Sequence, residues 1–177
     1  MKFIKSKLKG AYIIDIEKLT DKRGFFARSY SLSDFTKHRL ETNIVQTNIS
    51  FNKYKGTLRG MHFQKAPWGQ AKLIRCTAGE VYDVIVDLRP DSPTFKKYEG
   101  VKLTASNYRM IYVPIGFAHG FLTLTANCEV FYQMSADYKP KFAFGVRFND
   151  PAFGIKWPEK IRVINQRDKN YSDFNLI

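Results

Sequence analysis

The feature that most constrains the fold is a succession of short strand-like segments between residues 44 and 135. Each segment is rich in β-branched and aromatic residues and is bounded by Gly, Asn or Pro. Eight strands are predicted on this pattern: Ile44–Phe51, Thr57–Gln64, Lys72–Thr77, Glu80–Leu88, Tyr98–Leu103, Met110–Val113, Gly120–Leu124 and Glu129–Ser135. Many short strands with regular turn signals are typical of a sandwich or a barrel. The sequence therefore predicts an all-β domain.

The remainder of the chain adds little regular structure. Ala11–Ile16 alternates in polarity and predicts an opening strand, and Gly24 predicts a turn within Asp21–Phe26. Ser33–Leu40 predicts a short peripheral helix that Ser33 or Asp34 can cap. With 177 residues and no low-complexity linker, the chain is expected to form a single domain over residues 1–177.

Cysteine usage and hydropathy indicate the compartment. Cys76 and Cys128 both lie in apolar strand-like runs without a CxxC pair, so they are expected to be buried thiols in a reducing compartment. The basic N-terminus has an apolar run of only a few residues, which Asp15 interrupts, so neither a signal peptide nor a membrane span is expected. These features predict a cytoplasmic protein.

The net charge of +13 favours anionic partners. Nucleic acid is not expected, because the lysines are dispersed and no helix-turn-helix, zinc-finger or RNP pattern places them in a groove. A small phosphorylated ligand would also profit from this charge, and a merely basic surface explains it equally well.

Residues Gly56 to Lys72 carry the side chains best suited to chemistry. The strand Thr57–Gln64 contains Arg59 and His62, and Lys72 begins the next strand. The arginine and the lysine can hold an anion. An imidazole, with an ordinary pKa of about 6.5, can act as a base near neutrality when another group fixes its tautomer. A histidine with a purely structural role fits this stretch equally well.

Side-chain parity brings in further polar groups. Asp83 and Tyr132 each project among apolar neighbours of their strands, and a buried carboxylate needs a partner, for which His119 at a strand start is the candidate. Arg59 and His62 have opposite parity, so a regular strand would send them to opposite faces. Gly60 between them predicts a bulge that brings both to one side.

Other catalytic patterns are absent. A metal-binding cupin needs an HxH pair with a following Glu and His, whereas His62 is followed by Phe63 and Gln64, so no metal site is expected. No GxSxG, HExxH or glycine-rich phosphate loop occurs. Acid–base chemistry by histidine, tyrosine, lysine and aspartate remains.

With these residues in view, the sequence resembles the dTDP-4-dehydrorhamnose 3,5-epimerase family over roughly residues 8 to 170. The matching stretches, in order, are DKRGFFARSY, LRGMHFQ, QAKLIRCTAGEVYDVIVDLRPDSPTF, VPIGFAHGF, EVFYQMSADYKP, FNDPAFGIKWP and NQRD. The resemblance implies a double-stranded β-helix, the cupin-like jelly-roll, with short peripheral helices.

The resemblance also implies a role for individual positions. His62 falls on the family's general base, Asp168 on the carboxylate paired with it, Tyr132 on the acid of the opposite face, and Lys72 on the lysine near the sugar's carbonyl oxygen. Substrate contacts fall on Arg23 and Arg59 at the diphosphate and neighbouring groups, Tyr138 at the nucleotide base, the second His–Asp pair His119 and Asp83, and Phe26, Arg28, Gln46, Asn48 and Arg167 elsewhere in the binding region.

The implied activity is a cofactor-independent epimerisation. A nucleotide-diphosphate sugar with a 4-keto-6-deoxyhexose would be inverted at C3, C5 or both, and no cofactor is expected because the ketone itself is the electron sink. Family members resemble one another in being homodimers with an exchanged N-terminal strand, and residues 1–20 contain a candidate for that strand.

Departures from the family pattern concern ligand contacts. Arg28 replaces a glutamate of the family pattern, Thr47 replaces an aspartate, and Ala143 replaces an acidic contact. Gln133 and Arg167 each replace a lysine. The sequence is therefore also compatible with a substrate that carries another nucleotide or another deoxysugar, and with inversion at only one of C3 and C5. Two alternatives are a 3,4-ketoisomerase, which LRGMHFQ and GFAHGF disfavour, and a non-catalytic sugar-nucleotide-binding jelly-roll, which the intact acid–base residues disfavour.

Overall fold

The computed structural model describes residues 1–175, which form fourteen strands and two short α-helices. The strands are β1 Lys2–Lys5, β2 Tyr12–Asp15, β3 Leu19–Asp21, β4 Gly24–Phe26, β5 Gln46–Asn52, β6 Thr57–Gln64, β7 Lys72–Ala78, β8 Glu80–Asp87, β9 Tyr98–Thr104, β10 Met110–Val113, β11 Phe117–Thr123, β12 Cys128–Met134, β13 Ala143–Gly145 and β14 Val163–Ile164. The helices are α1 Leu32–Lys37 and α2 Gln166–Lys169.

Two large sheets make up the domain. The first sheet has the order β1-β2-β10-β7-β12-β5, and the second has the order β13-β6-β11-β8-β9, with β14 beside β6. The strands from β9 to β13 alternate between the two sheets, which is the jelly-roll arrangement. The fold predicted from the sequence is therefore confirmed. A separate hairpin, β3–β4, carries the turn predicted within Asp21–Phe26; Lys22 and Arg23 form the turn and Gly24 begins β4.

The main core lies between the two sheets. It includes Ile74, Ile111 and Val130 of the first sheet and Ile85 and Phe121 of the second. Burying these apolar side chains removes them from water and drives the sheets together. The sulfur atoms of Cys76 and Cys128 are also buried here as free thiols, as predicted.

The outer faces of the sheets are covered to different extents. Phe35 of α1 packs on Leu73 and Tyr112 of the first sheet, so the helix covers one half of that face. The other half, towards the edge strand β5, leaves Ile49 64% and Phe51 56% exposed. Within residues 1–175, no helix has the length and apolar character that crossing a membrane requires.

The predicted strands match the observed ones closely except at β11. This strand begins at Phe117, three residues before the predicted start, so His119 lies inside it and not at its first residue. Gly116 has a φ of +86°, which completes the turn and lets Phe117 enter the sheet at once. The strands β1, β3, β4, β13 and β14 were not predicted, because each has only two to four residues.

Candidate active site

Two adjoining cavities open between the sheets and share three side chains. The inner cavity, of about 160 Å³, and the outer cavity, of about 350 Å³, are both lined by His62, Lys72 and Tyr132. His62 comes from the second sheet, whereas Lys72 and Tyr132 come from the first. The three residues singled out as base, carbonyl contact and acid therefore face a common space.

The bulge predicted at Gly60 is present and explains why His62 and Arg59 share this space. Opposite β11, His62 pairs with His119 and Arg59 with Phe121, so β6 contains one more residue than its partner over this interval. Gly60 has a φ of +122°, and a Cβ there would lie 2.5 Å from the Cα of Gly120. Only glycine fits this backbone without strain.

His62 and Asp168 form a hydrogen-bonded pair. The His62 Nε2 lies 2.7 Å from Asp168 Oδ1, and the backbone N–H of Gly60 donates to Asp168 Oδ2 at 2.9 Å. Burial raises the pKa of Asp168, but its hydrogen bonds from His62 and Gly60 outweigh burial and hold it below the ordinary value. An ionised Asp168 accepts from Nε2, so Nδ1 is left as the basic nitrogen.

The pair is positioned by the helix α2. Asn165 caps this helix, and its side-chain oxygen accepts from the backbone N–H of Asp168 at 2.6 Å. Asp168 is 0% exposed, so the cap fixes a fully buried carboxylate against the half-buried imidazole. The motif NQRD thus supplies both the cap and the carboxylate.

Lys72 is an ammonium group in an unusually dry setting. The residue is 9% exposed, and burial lowers its pKa to about 8, although the nearby charge of Asp83 opposes this effect. Its Nζ donates a long hydrogen bond to the His62 carbonyl oxygen at 3.4 Å. A cation that is only weakly paired is available to an anion that develops in the cavity.

A second His–Asp pair lies beside the inner cavity, as predicted. His119 Nε2 is 2.9 Å from Asp83 Oδ2, and both residues are buried. Burial lowers the pKa of His119 more than Asp83 raises it, so this imidazole is neutral at neutral pH. Asp83 lies behind His119 and does not line either cavity.

Tyr132 faces His62 from the opposite sheet. Burial raises the pKa of its phenol above the ordinary value of 10, and the charge of Arg59 offsets part of this effect. The phenol is therefore protonated at neutral pH. It can donate a proton to a group held between the sheets.

Polar side chains surround the outer cavity. Gln46 donates to Asn48 Oδ1 at 3.1 Å and accepts from the backbone N–H of Tyr138 at 3.1 Å, so these three predicted contacts form one network. Arg167 lines the same cavity and donates to the Ala143 carbonyl at 3.3 Å. Arg59 lines the inner cavity, where Asn52 accepts from its Nε at 2.7 Å.

Three predicted substrate contacts lie away from both cavities. Arg23 and Phe26 are on the exposed hairpin β3–β4, where Phe26 is 73% exposed and Arg23 is paired with Asp21 at 2.7 Å. Arg28 lies 4.0 Å from Asp34. A single chain does not bring these residues to the cavities.

Other cavity residues were not predicted. Ser50, Phe121 and Asn165 line the inner cavity, and Gln70 and Met134 line the outer one. The position of Asn165 as the first residue of NQRD, where it can cap a helix, was a usable signal, whereas the other four had none beyond strand parity. Within residues 1–175, no group of three or more His, Cys, Asp and Glu side chains is arranged to hold a metal ion.

Comparison with known proteins places the chain in a family. The family model described as dTDP-4-dehydrorhamnose 3,5-epimerase matches residues 5–175. The chain belongs to the dTDP-4-dehydrorhamnose 3,5-epimerase family. The family resemblance drawn from the sequence is confirmed, and the protein is an enzyme of the isomerase class.

Individual family members match over nearly their whole length. The dTDP-4-dehydrorhamnose 3,5-epimerase of Methanothermobacter thermautotrophicus is 41% identical over 96% of this chain and 92% of the relative. The crystal structure of the epimerase from Elizabethkingia anophelis has a TM-score of 0.95 at 39% identity and covers 98% of this chain and 96% of that one. The structure of the Bacillus anthracis epimerase with TDP and PPi bound has a TM-score of 0.93 at 39% identity. The match covers 98% of this chain and 99% of that one.

Proposed function

We propose that this protein inverts C3, C5 or both of a dTDP-linked 4-keto-6-deoxyhexose without a cofactor. The observation that carries the proposal is the arrangement of His62 with Asp168 on one wall of the cavity, Tyr132 on the other wall, and the buried ammonium of Lys72 beside them. This arrangement offers a base, an acid on the opposite face and a cation in one dry space.

The reaction begins with proton removal next to the ketone. His62 Nδ1 takes the proton from the carbon adjacent to C4, and the electron pair of the C–H bond moves into an enolate whose negative charge lies on the C4 oxygen. Lys72 stabilises that oxygen, because an ammonium in a site of low dielectric interacts strongly with a developing anion. Asp168 holds the imidazole and stabilises its cationic form.

The reaction ends with protonation from the other face. The enolate carbon takes the phenolic proton of Tyr132, and the C4 ketone reforms. The tyrosinate and the imidazolium then exchange protons with water, which restores both groups. Inversion follows because the two groups belong to opposing sheets.

Nucleotide binding is assigned to the polar and basic residues of the two cavities. The Bacillus anthracis relative holds TDP and PPi, which supports a thymidine diphosphate handle on the substrate of this chain. Arg59 and Arg167 supply cationic donors, and Tyr138, 49% exposed, offers an aromatic face at the outer cavity. The net charge of +13 attracts such a substrate.

A homodimer completes the proposal. Ile49 and Phe51 form an uncovered apolar surface on the first sheet, and Phe26 is exposed on the hairpin β3–β4. A second copy that buries these groups would bring the hairpin, with Arg23, to its partner's cavity. Within one chain β1 pairs with β2 and β2 with β10. In the proposed dimer residues 1–20 are exchanged, so that the β2–β10 pairing crosses the interface while β1 and β2 stay paired within the exchanged segment.

The decisive experiment is proton NMR of dTDP-4-keto-6-deoxyglucose in deuterium oxide. We expect deuterium to enter C3, C5 or both with the unaltered protein and with His38→Ala, a control histidine outside the cavities, but not with His62→Ala. A ketone that moves to C3 would identify a 3,4-ketoisomerase. Binding of the sugar nucleotide without any exchange would identify the non-catalytic alternative.

A further inference from the structure

Tyr171 occupies a position beside His62 that the strand pairing leaves vacant. Gly145 of β13 lies directly opposite His62 of β6, and residues directly opposite in an antiparallel pair share a face. Gly145 has no side chain, and a Cβ built on it would collide with the ring of Tyr171. The tyrosine ring therefore takes the place of the missing cross-strand neighbour.

The contact between the two rings is edge-to-face. Their centroids are 6.2 Å apart and their planes meet at 75°, a geometry that aromatic pairs prefer. The guanidinium of Arg167 also lies over the Tyr171 ring, 5.9 Å from its centroid. The imidazole is thus held at Nε2 by Asp168 and laterally by Tyr171.

The hydroxyl of Tyr171 contributes nothing to this contact. It is buried, it makes no hydrogen bond to His62, and the group that interacts with it is the Arg167 guanidinium, which lowers the pKa of the phenol against the raising effect of burial. Tyr171 does not line either of the cavities that contain Lys72 and Tyr132. The ring contacts two residues that do line them, His62 and Arg167, and of these only His62 takes part in proton transfer in the proposed reaction.

The segment that follows α2 is tied down on both sides of Tyr171. Asp168, three residues earlier, is buried in its contact with His62, while Asp173 forms an ion pair with Arg147 further along. The ring of Phe174 packs on Phe153 at a centroid distance of 5.3 Å. When this segment docks on the second sheet, it therefore places both the Asp168 carboxylate and the Tyr171 ring against His62.

We propose that Tyr171 is a positioning residue for the general base His62, acting through its aromatic ring and not through its hydroxyl. The proposal rests on the function proposed above for His62. It assigns to the C-terminal segment a part in orienting the imidazole.

The kinetic test compares three substitutions. We expect Tyr171→Ala to lower kcat by a factor of ten to about a hundred, with KM changed less than about threefold, because a misplacement of about 1 Å costs on the order of 10²-fold in rate. Tyr171→Leu keeps much of the apolar volume but has no flat ring, and its kcat should fall by a similar factor. This variant serves if Tyr171→Ala does not fold. Tyr171→Phe should retain the original kcat.

The matched control is Tyr82→Ala. Tyr82 is, like Tyr171, a half-buried tyrosine; it lies on β8 and packs on Trp157 away from the cavities. Its removal should lower the melting temperature without lowering kcat. A loss of kcat in this variant equal to that of Tyr171→Ala would show that general destabilisation, and not positioning, causes the effect.

A measurement on the free protein separates this inference from the proposed function. The chain has three histidines, so nitrogen-15 histidine NMR with His62→Ala as the assignment standard can follow His62 alone. We expect one tautomer, with the proton on Nε2, in the unaltered protein and in Tyr171→Phe, and a mixture of tautomers in Tyr171→Ala and Tyr171→Leu.

An unchanged single tautomer in Tyr171→Ala and Tyr171→Leu would overturn the inference, and so would a loss of kcat in Tyr171→Phe as large as in Tyr171→Ala. If the unaltered protein exchanges no substrate proton, the proposed function fails, but the histidine spectra still decide whether Tyr171 positions His62.

Discussion

Lys72 is expected to destabilise the folded protein at neutral pH. The residue is 9% exposed, and burial lowers the pKa of its ammonium from 10.5 to about 8 against the opposing charge of Asp83. Each pKa unit corresponds to about 1.4 kcal/mol. Keeping this ammonium charged in the folded state therefore costs on the order of 3 kcal/mol at pH 7.

The sign of the pH dependence follows from proton binding. Below pH 8 the lysine is charged in both the folded and the unfolded chain, so the destabilisation is present in full. Between about pH 8 and 10.5 the unfolded chain binds more protons, and the free energy of unfolding rises with pH. Lys72→Met removes the charge while keeping the volume. We expect the free energy of unfolding of this variant to exceed that of the unaltered protein by on the order of 3 kcal/mol at pH 7. This difference should shrink towards pH 10.5.

The assay is urea unfolding at pH 7 and pH 10. The control is Lys37→Met, which replaces an exposed lysine of α1. Its free energy of unfolding should differ from that of the unaltered protein by the same amount at both pH values. In parallel, Lys72→Met should lose on the order of 10²–10³ in kcat, because it removes the cation that stabilises the enolate. A Lys72→Met variant less stable than the unaltered protein at pH 7, or a difference that does not change with pH, would show that the buried ammonium does not destabilise the fold.

Three further substitutions test other parts of the account. Asp168→Asn should lower kcat by on the order of 10²–10⁴ in initial-rate assays, since it no longer orients and stabilises the imidazolium; an unchanged rate would remove Asp168 from the mechanism. Gly60→Ala should lower the free energy of unfolding by about 1–3 kcal/mol in urea, since its Cβ meets the backbone of β11 at a φ of +122°; a variant of full stability would contradict the bulge geometry. Ile49→Lys should convert a dimer to a monomer in light scattering and lower activity as Arg23 leaves the partner's cavity, whereas an active monomer would refute the proposed dimer.

The sequence predicted the strands well because their polarity and bounding residues are local signals. The Gly60 bulge could also be inferred, since only a bulge allows Arg59 and His62 to share a face, and the observed register contains it. The hairpin turn within Asp21–Phe26 was visible, but the three-residue strands on either side of it were not. Such short strands are fixed by tertiary pairing and not by propensity.

Less of the site than of the fold could be predicted from residue patterns. His62 and Asp168 are 106 positions apart, and their pairing was implied by the family resemblance, not by spacing. Parity suggested the Asp83–His119 pair, because a buried carboxylate requires a partner. The place of Tyr171 beside Gly145 carried no local signal, since it depends on how the segment after α2 docks on the second sheet.

In the proposed reaction, His62 and Tyr132 act on opposite faces of one enolate. The most direct test is the configuration of the carbon that takes up deuterium when Tyr132→Phe is incubated with dTDP-4-keto-6-deoxyglucose in deuterium oxide. We expect deuterium to enter with retained configuration, because His62 still removes and returns a proton on its own face, and His62→Ala to show neither exchange nor inversion. Inverted product from Tyr132→Phe at the unaltered rate would contradict this mechanism.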